Sequence, residues 1–148
     1  MKTAIITGAS SGLGREFVRQ MQAQFPDIGC YWLIARRTDR LQALAEQLPG
    51  ISVKTISLDL TSGAAFTELE ALLGQEQPQV SLLINCAGCG ILGDFIEGKL
   101  DEQLRMVDLN IRALTAVTRL VLPYIAQGGR IINISSIASF VPNARMSV

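Results

Sequence analysis

The residues of this chain best suited to chemistry are three glycines, two adjacent arginines and a pair of serines. The glycines stand in Thr7-Gly8-Ala9-Ser10-Ser11-Gly12-Leu13-Gly14, where a β-branched run gives way to a helical pattern. At such a junction glycine lets the backbone turn tightly and approach a pyrophosphate, while free amides and the helix dipole supply positive potential. A phosphate-bearing ligand is the natural occupant; a glycine-rich turn that only packs is the plainer alternative. Glycine at 8, 12 and 14 differs from Gly-x-Gly-x-x-Gly, and no lysine follows as a nucleoside-triphosphate loop requires. Arg36-Arg37 offers guanidinium forks suited to a phosphate, or else two solvated surface arginines. Ser135-Ser136 places hydroxyls at the close of the apolar run Ile131-Ile132-Asn133-Ile134.

What the chain lacks narrows the chemistry further. It has no histidine, which removes the commonest general base and zinc ligand, and with them most hydrolase triads and catalytic zinc sites. Thirteen basic and thirteen acidic residues cancel and are scattered, so neither nucleic acid nor a membrane is expected as partner. Cys86-Ala87-Gly88-Cys89 has the form of a redox dithiol or half a zinc site, but it has no second pair and follows a strand pattern; no metal is expected. Three cysteines, and an apolar start too short for a signal peptide, suggest reduced thiols and a cytoplasmic protein.

The elements that must position these groups follow from the hydrophobic pattern. Strands are expected at Thr3 to Thr7, Cys30 to Ala35, Ile51 to Ser57, Val80 to Asn85 and Arg130 to Ser135, all rich in Ile, Val or Leu with little alternation. Such strands belong to a sheet covered on both faces. Helical stretches near Gly14 to Gln24, Asp39 to Gln47, Phe66 to Leu73 and Leu100 to Ala126 lie between them. The alternation predicts one α/β domain over residues 1–148, a doubly wound parallel sheet of Rossmann-like type. The last helix carries two apolar rows: Leu104, Val107, Ile111, Leu114, Thr118, Val121 and Ile125, and beside it Met106, Leu109, Ala113, Ala116 and Leu120. That is wider than one sheet contact needs, so another part of the chain or a second subunit should cover the rest.

Taken together, these segments resemble the short-chain dehydrogenase/reductase family. The Thr-Gly-x-x-x-Gly-x-Gly loop, Leu58-Asp59-Leu60 after the third strand, Asn85-Cys86-Ala87-Gly88 after the fourth, Asn110 in the long helix and Gly129 to Ser136 in the fifth strand match that family's pattern in order. The Thr-Gly-x-x-Gly-x-x-Gly loop of nucleotide-sugar epimerases does not fit, because position 11 is serine. The resemblance implies a nicotinamide cofactor along Gly8, Ser10, Ser11, Gly12, Leu13 and Gly14, with Asp59 and Leu60 holding adenine and Asn85, Ala87 and Gly88 steadying the central strands and flanking a ribose. The end of the second strand meets the adenosine ribose, and there Ala35 replaces the acidic residue that would select NAD. Arg36, helped by Arg37, suits a 2′-phosphate, so NADP(H) is the expected cofactor. The basic residue that many NADP-using relatives place before the second glycine is absent, Ser11 standing there.

For the reaction, the resemblance implies hydride transfer between nicotinamide and a small carbonyl or alcohol substrate. Ser136 would orient the carbonyl and Asn110 would help organise a lysine and a proton-relaying water; either could instead be a structural hydroxyl or amide. The family's proton donor is a tyrosine with a lysine four residues on, and its spacing from the serine puts that tyrosine at, or within a residue or two of, the position after Val148. Neither Tyr31 nor Tyr124 has such a lysine. The expectation is therefore the cofactor-binding part of a short-chain oxidoreductase, truncated before its Tyr-x-x-x-Lys motif, inactive as it stands and a homo-oligomer when complete. The alternatives are a non-catalytic NADP-binding module and a dimerisation piece built on the long helix.

Overall fold

The computed structural model describes residues 1–141 and Arg145. The strands are β1 (Lys2–Thr7), β2 (Cys30–Ala35), β3 (Ser52–Ser57), β4 (Gln79–Asn85) and β5 (Ile125–Asn133). They form one five-stranded sheet in the order β3-β2-β1-β4-β5. Every neighbouring pair is parallel, with Ile5 opposite Trp32 on one side and Leu83 on the other. The helices are α1 (Gly12–Gln24), α2 (Thr38–Ala45), α3 (Gly63–Glu76), α4 (Leu100–Val107) and α5 (Ala113–Val121). This is the expected doubly wound, Rossmann-like α/β sheet. Its order reverses between β1 and β4, and a crevice opens at the carboxyl ends of strands at such a switch point.

Strand side chains alternate between faces, and that divides the core in two. Ile5, Trp32, Ile34, Ile56 and Leu83 meet Leu69 and Leu73 of α3 and Val117 and Val121 of α5. Ala4, Ile6, Tyr31, Leu33 and Ile84 meet Val18 and Met21 of α1 and Leu41 and Leu44 of α2. Both faces of β1 and β2 are therefore apolar, as the unbroken runs in sequence required. Burial of that scale, at roughly 25 cal/mol per Å² of apolar surface, is what holds the five strand ends together.

The long helix departs from expectation in two ways. Asp108–Arg112 form a π-helical turn between α4 and α5, and the helix gives way at Leu122–Tyr124 to a short 3₁₀ turn. Pro123 sits in that turn, and a proline supplies no amide to continue a helix. Ile125 and Ala126, expected in the helix, instead begin β5. The expected strand end at Ser135 likewise moves back to Asn133, so both serines lie beyond the sheet. Of the two apolar rows, Met106 and Ala113 of the second are buried, together with Val117 and Val121. In the first row Leu104 stays 53% and Ile111 61% exposed.

Candidate nucleotide cleft

Each glycine of the first loop has a distinct steric reason. Gly8 has φ +69°, and a Cβ there would lie 2.7 Å from the carbonyl oxygen of Cys86. A Cβ on Gly14 would lie 2.3 Å from the carbonyl oxygen of Gly8, so α1 starts pressed against the end of β1. Gly12 has φ +54° with nothing within 4 Å, so only its backbone conformation demands glycine. Buried Thr7 joins this loop to the end of β4: its hydroxyl accepts from the amides of Cys86 and Ala87, each at 3.0 Å.

Ser11 is the N-cap residue of α1, yet no side chain caps that helix. A serine there ordinarily accepts from a first-turn amide. Its hydroxyl is instead taken by Arg37, whose Nη2 donates to Ser11 Oγ at 2.7 Å and to Ser10 Oγ at 3.2 Å. The end of β2 is thereby tied to the glycine loop, and the first-turn amides of α1 are left without a side-chain partner. This arrangement is what a phosphate oxygen needs: amide donors, serine hydroxyls and guanidinium charge in one place.

The next wall is the segment after β3. Burial pulls the Asp59 carboxyl upward, but donation from the Thr61 hydroxyl and amide, with the charges of Arg105 and Arg36, holds it below the ordinary carboxylate range. The hydrogen bonds run from Thr61 Oγ1 at 2.8 Å and Thr61 N at 3.1 Å to Oδ1. On the far side, Asn110 in the π-helical turn clips the loop after β4: its Oδ1 accepts from Cys89 N at 2.9 Å and its Nδ2 donates to Cys89 O at 2.8 Å. Widened helical turns of this kind recur at functional sites, because they turn a side chain out of the ladder. Burial pushes the half-buried Cys86 thiol above its ordinary range.

Ser136 begins a short 3₁₀ turn, Ile137–Ser139, and its Oγ accepts from Ala138 N at 3.1 Å. The cleft that these elements enclose has a volume of ≈ 1020 Å³. Gly8, Ser10, Ser11, Gly12, Leu13, Gly14, Arg36, Arg37, Asp59, Leu60, Ala87, Gly88, Asn110 and Ser136 all line it. A model of the family described as short chain dehydrogenase matches residues 2–148. The chain belongs to the short chain dehydrogenase family.

Individual members agree with that assignment. A short chain dehydrogenase of Pseudocercospora fijiensis is 32% identical over 148 residues, covering 96% of this chain and 47% of the relative. A "Probable NADP-dependent dehydrogenase" of Haemophilus influenzae is 35% identical over 150 residues, covering 99% of this chain and 58% of the relative. Among solved structures, a short-chain dehydrogenase from Sphingobium yanoikuyae in complex with NADPH superposes with a TM-score of 0.87 at 34% identity, over 99% of this chain and 58% of that one. The chain thus spans about half the length of the curated relatives it matches.

One predicted residue does not reach the cleft wall. Asn85 is 3% exposed, and its Nδ2 donates to Thr118 Oγ1 at 2.8 Å and Asn133 Oδ1 at 2.9 Å. At the end of β4 its side chain faces α5 and β5, so it joins sheet to helix while Asn133 lines the cleft. Two residues were under-read in the sequence. Arg37, treated as the helper of Arg36, is the one bonded to the loop serines; its adjacency to Arg36 carried no sign of which one turns inward. Arg105, outside every motif of the sequence, pairs with Asp59 at 3.2 Å across 46 residues. No sequence periodicity could have shown that.

Proposed function

We propose that these 148 residues are the NADP(H)-binding part of a short-chain oxidoreductase that moves hydride between nicotinamide and a carbonyl or alcohol. The observation that carries the reading is the Arg37 bridge to Ser10 and Ser11 at the uncapped start of α1. It sets positive charge and hydroxyl donors where the second strand meets the glycine loop, with no acidic side chain at Ala35 to repel a ribose phosphate. The residues present fit the dinucleotide: Gly8 and Gly14 let the loop and the start of α1 pack against the strand ends, Gly12 leaves open space on the cleft wall, Arg36 and Arg37 suit a 2′-phosphate, and Asp59 offers a carboxylate acceptor to a base amine. The Sphingobium relative bound to NADPH and the name of the Haemophilus relative support the same cofactor.

When bound, NADPH supplies hydride, and the carbonyl carbon that receives it builds negative charge on its oxygen. The chain's own residues bind and orient. Ser136 offers a hydroxyl to the carbonyl oxygen, and its place on the cleft wall supports that role. Asn110 holds the loop that carries Cys89 and sets the depth of the cleft beside it. Neither tyrosine serves as proton donor: Tyr31 is buried in the core beside α1 and α2, and Tyr124 packs against the opposite core. We therefore read these residues as the part that binds and orients the cofactor.

The same reading makes the substrate a small carbonyl or alcohol, the setting the cytoplasm and the complete enzyme a homo-oligomer. Among the described residues, no helix is long and apolar enough to cross a membrane. Calorimetric titration with NADPH and, separately, NADH tests the proposal. Saturable binding with NADPH clearly tighter is the expected result; equal binding of the two would sink the role given to the arginines, and no binding to either would sink the site.

A further inference from the structure

Beyond the cleft wall, one helix face holds the segment after β3 at two points. Arg105 Nη2 on α4 lies 3.2 Å from Asp59 Oδ2. Two turns on, Arg112 Nη2 donates to the carbonyl oxygen of Thr61 at 2.6 Å. Arg112 is itself held, its Nε 2.9 Å from Asp108 Oδ1 and its guanidinium 5.7 Å over the Phe66 ring. Between the two arginines Leu109 lines the cleft. Arg105 and Arg112 both reach the segment after β3, so this side of α4 and of the π-helical turn faces it.

The consequence lies in the orientation of one carboxylate. Asp59 Oδ1 is engaged by Thr61, and Oδ2 by Arg105, so the group has little freedom to rotate. A carboxylate pinned at both oxygens keeps fixed lone-pair directions towards the cleft. We infer that Arg105 is a base-specificity positioning residue: by pinning Asp59 it makes the cleft select a purine bearing an exocyclic amine over one bearing a carbonyl at that position. An ionised carboxylate accepts from an amine N–H and repels a carbonyl oxygen, so selection fails when the carboxylate swings away or is protonated. This rests on the reading of Asp59 as the residue beside the base. Nothing in the sequence motifs includes Arg105, which reaches Asp59 from α4 across 46 residues of chain.

The test compares NADPH with its hypoxanthine analogue, which carries an oxygen in place of the amine, by calorimetry on the full chain and on Arg105→Met, Arg105→Lys and Asp59→Asn. The chain should prefer NADPH; Arg105→Met should shrink that preference by about two- to fivefold, the worth of a partly exposed ion pair. Arg105→Lys should restore part of it. An unchanged preference in Arg105→Met overturns the inference. A preference that survives Asp59→Asn overturns it by removing Asp59 from the base, and absent NADPH binding overturns it with the proposed function itself. A second readout needs no nucleotide: NMR titration of the Asp59 carboxyl. Its midpoint should rise in Arg105→Met, leaving Arg36 as the remaining facing charge; an unmoved midpoint shows that Arg105 does not hold the carboxylate.

Discussion

Arg37 and Ser11 make an economical pair. The serine gives up its usual capping bond, and the helix start keeps free amides for an anion. Replacing Arg37 with Ala removes a charged donor, so NADPH binding should weaken about tenfold while NADH binding hardly changes. Parallel titrations with the two nucleotides check this. The glycines separate by mechanism. Gly14→Ala drives a Cβ into the Gly8 carbonyl and should cost about 1–3 kcal/mol or more, together with nucleotide binding. Gly12→Ala meets no atom and should cost only about 1–2 kcal/mol, for its left-handed backbone. Denaturant melts of both variants measure the difference. Asp59 adds a pH dependence: because its folded pKa is depressed, its contribution is fully present above the ordinary carboxylate value. It is lost as pH falls through the lower folded value, so acid melts of Asp59→Asn and the parent should converge in that window.

The π-helical turn is the element that joins helix to cleft. Asn110 makes two reciprocal bonds to Cys89, and a Cβ on Gly88 would already come within 3.1 Å of its Oδ1. Asn110→Ala should therefore cost about 1–2 kcal/mol and speed hydrogen exchange at the Cys89 amide. Unchanged exchange there would mean that the loop is held by something other than this clip. A similar argument applies to α5, where Thr118 takes one of two bonds from buried Asn85, whose Oδ1 has no partner among the described residues. The helix is legible in sequence as a long apolar stripe, but its break is not. Proline at 123 is a local cue that the apolar stripe, continued to Ala126, overrode, whereas the π turn depends on the loop it bonds.

At the scale of the molecule, β5 is an edge strand and a row of side chains on α4 and the π turn is uncovered. Leu100, Leu104, Val107 and Ile111 are all exposed, and apolar surface of that kind is seldom left wet. The chain should self-associate, and Leu104→Glu with Ile111→Glu should reduce association while leaving the melting temperature nearly unchanged. Sedimentation velocity decides it; association that persists in the double variant points to the edge of β5 instead. Either outcome leaves the two packed cores intact, because neither residue belongs to them.

Taken alone, the sequence determined the strand order in time, the parallel doubly wound class, the glycine loop and most of the cleft wall. Those are properties of local pattern: β-branched runs that bury on two faces, helices between them, and glycine where backbone crowds backbone. Asn110 and Ser136 were marked by the family resemblance, and the structure puts both on the cleft wall. Only the tertiary structure decided which arginine turns towards Ser11, which apolar row of the long helix meets the sheet, and that Asn85 braces the strands through Thr118 and Asn133 without also lining the cleft. It alone brought Arg105 to Asp59. Each of these depends on one element's position relative to another, set by packing across tens of residues, and no local periodicity carries that information.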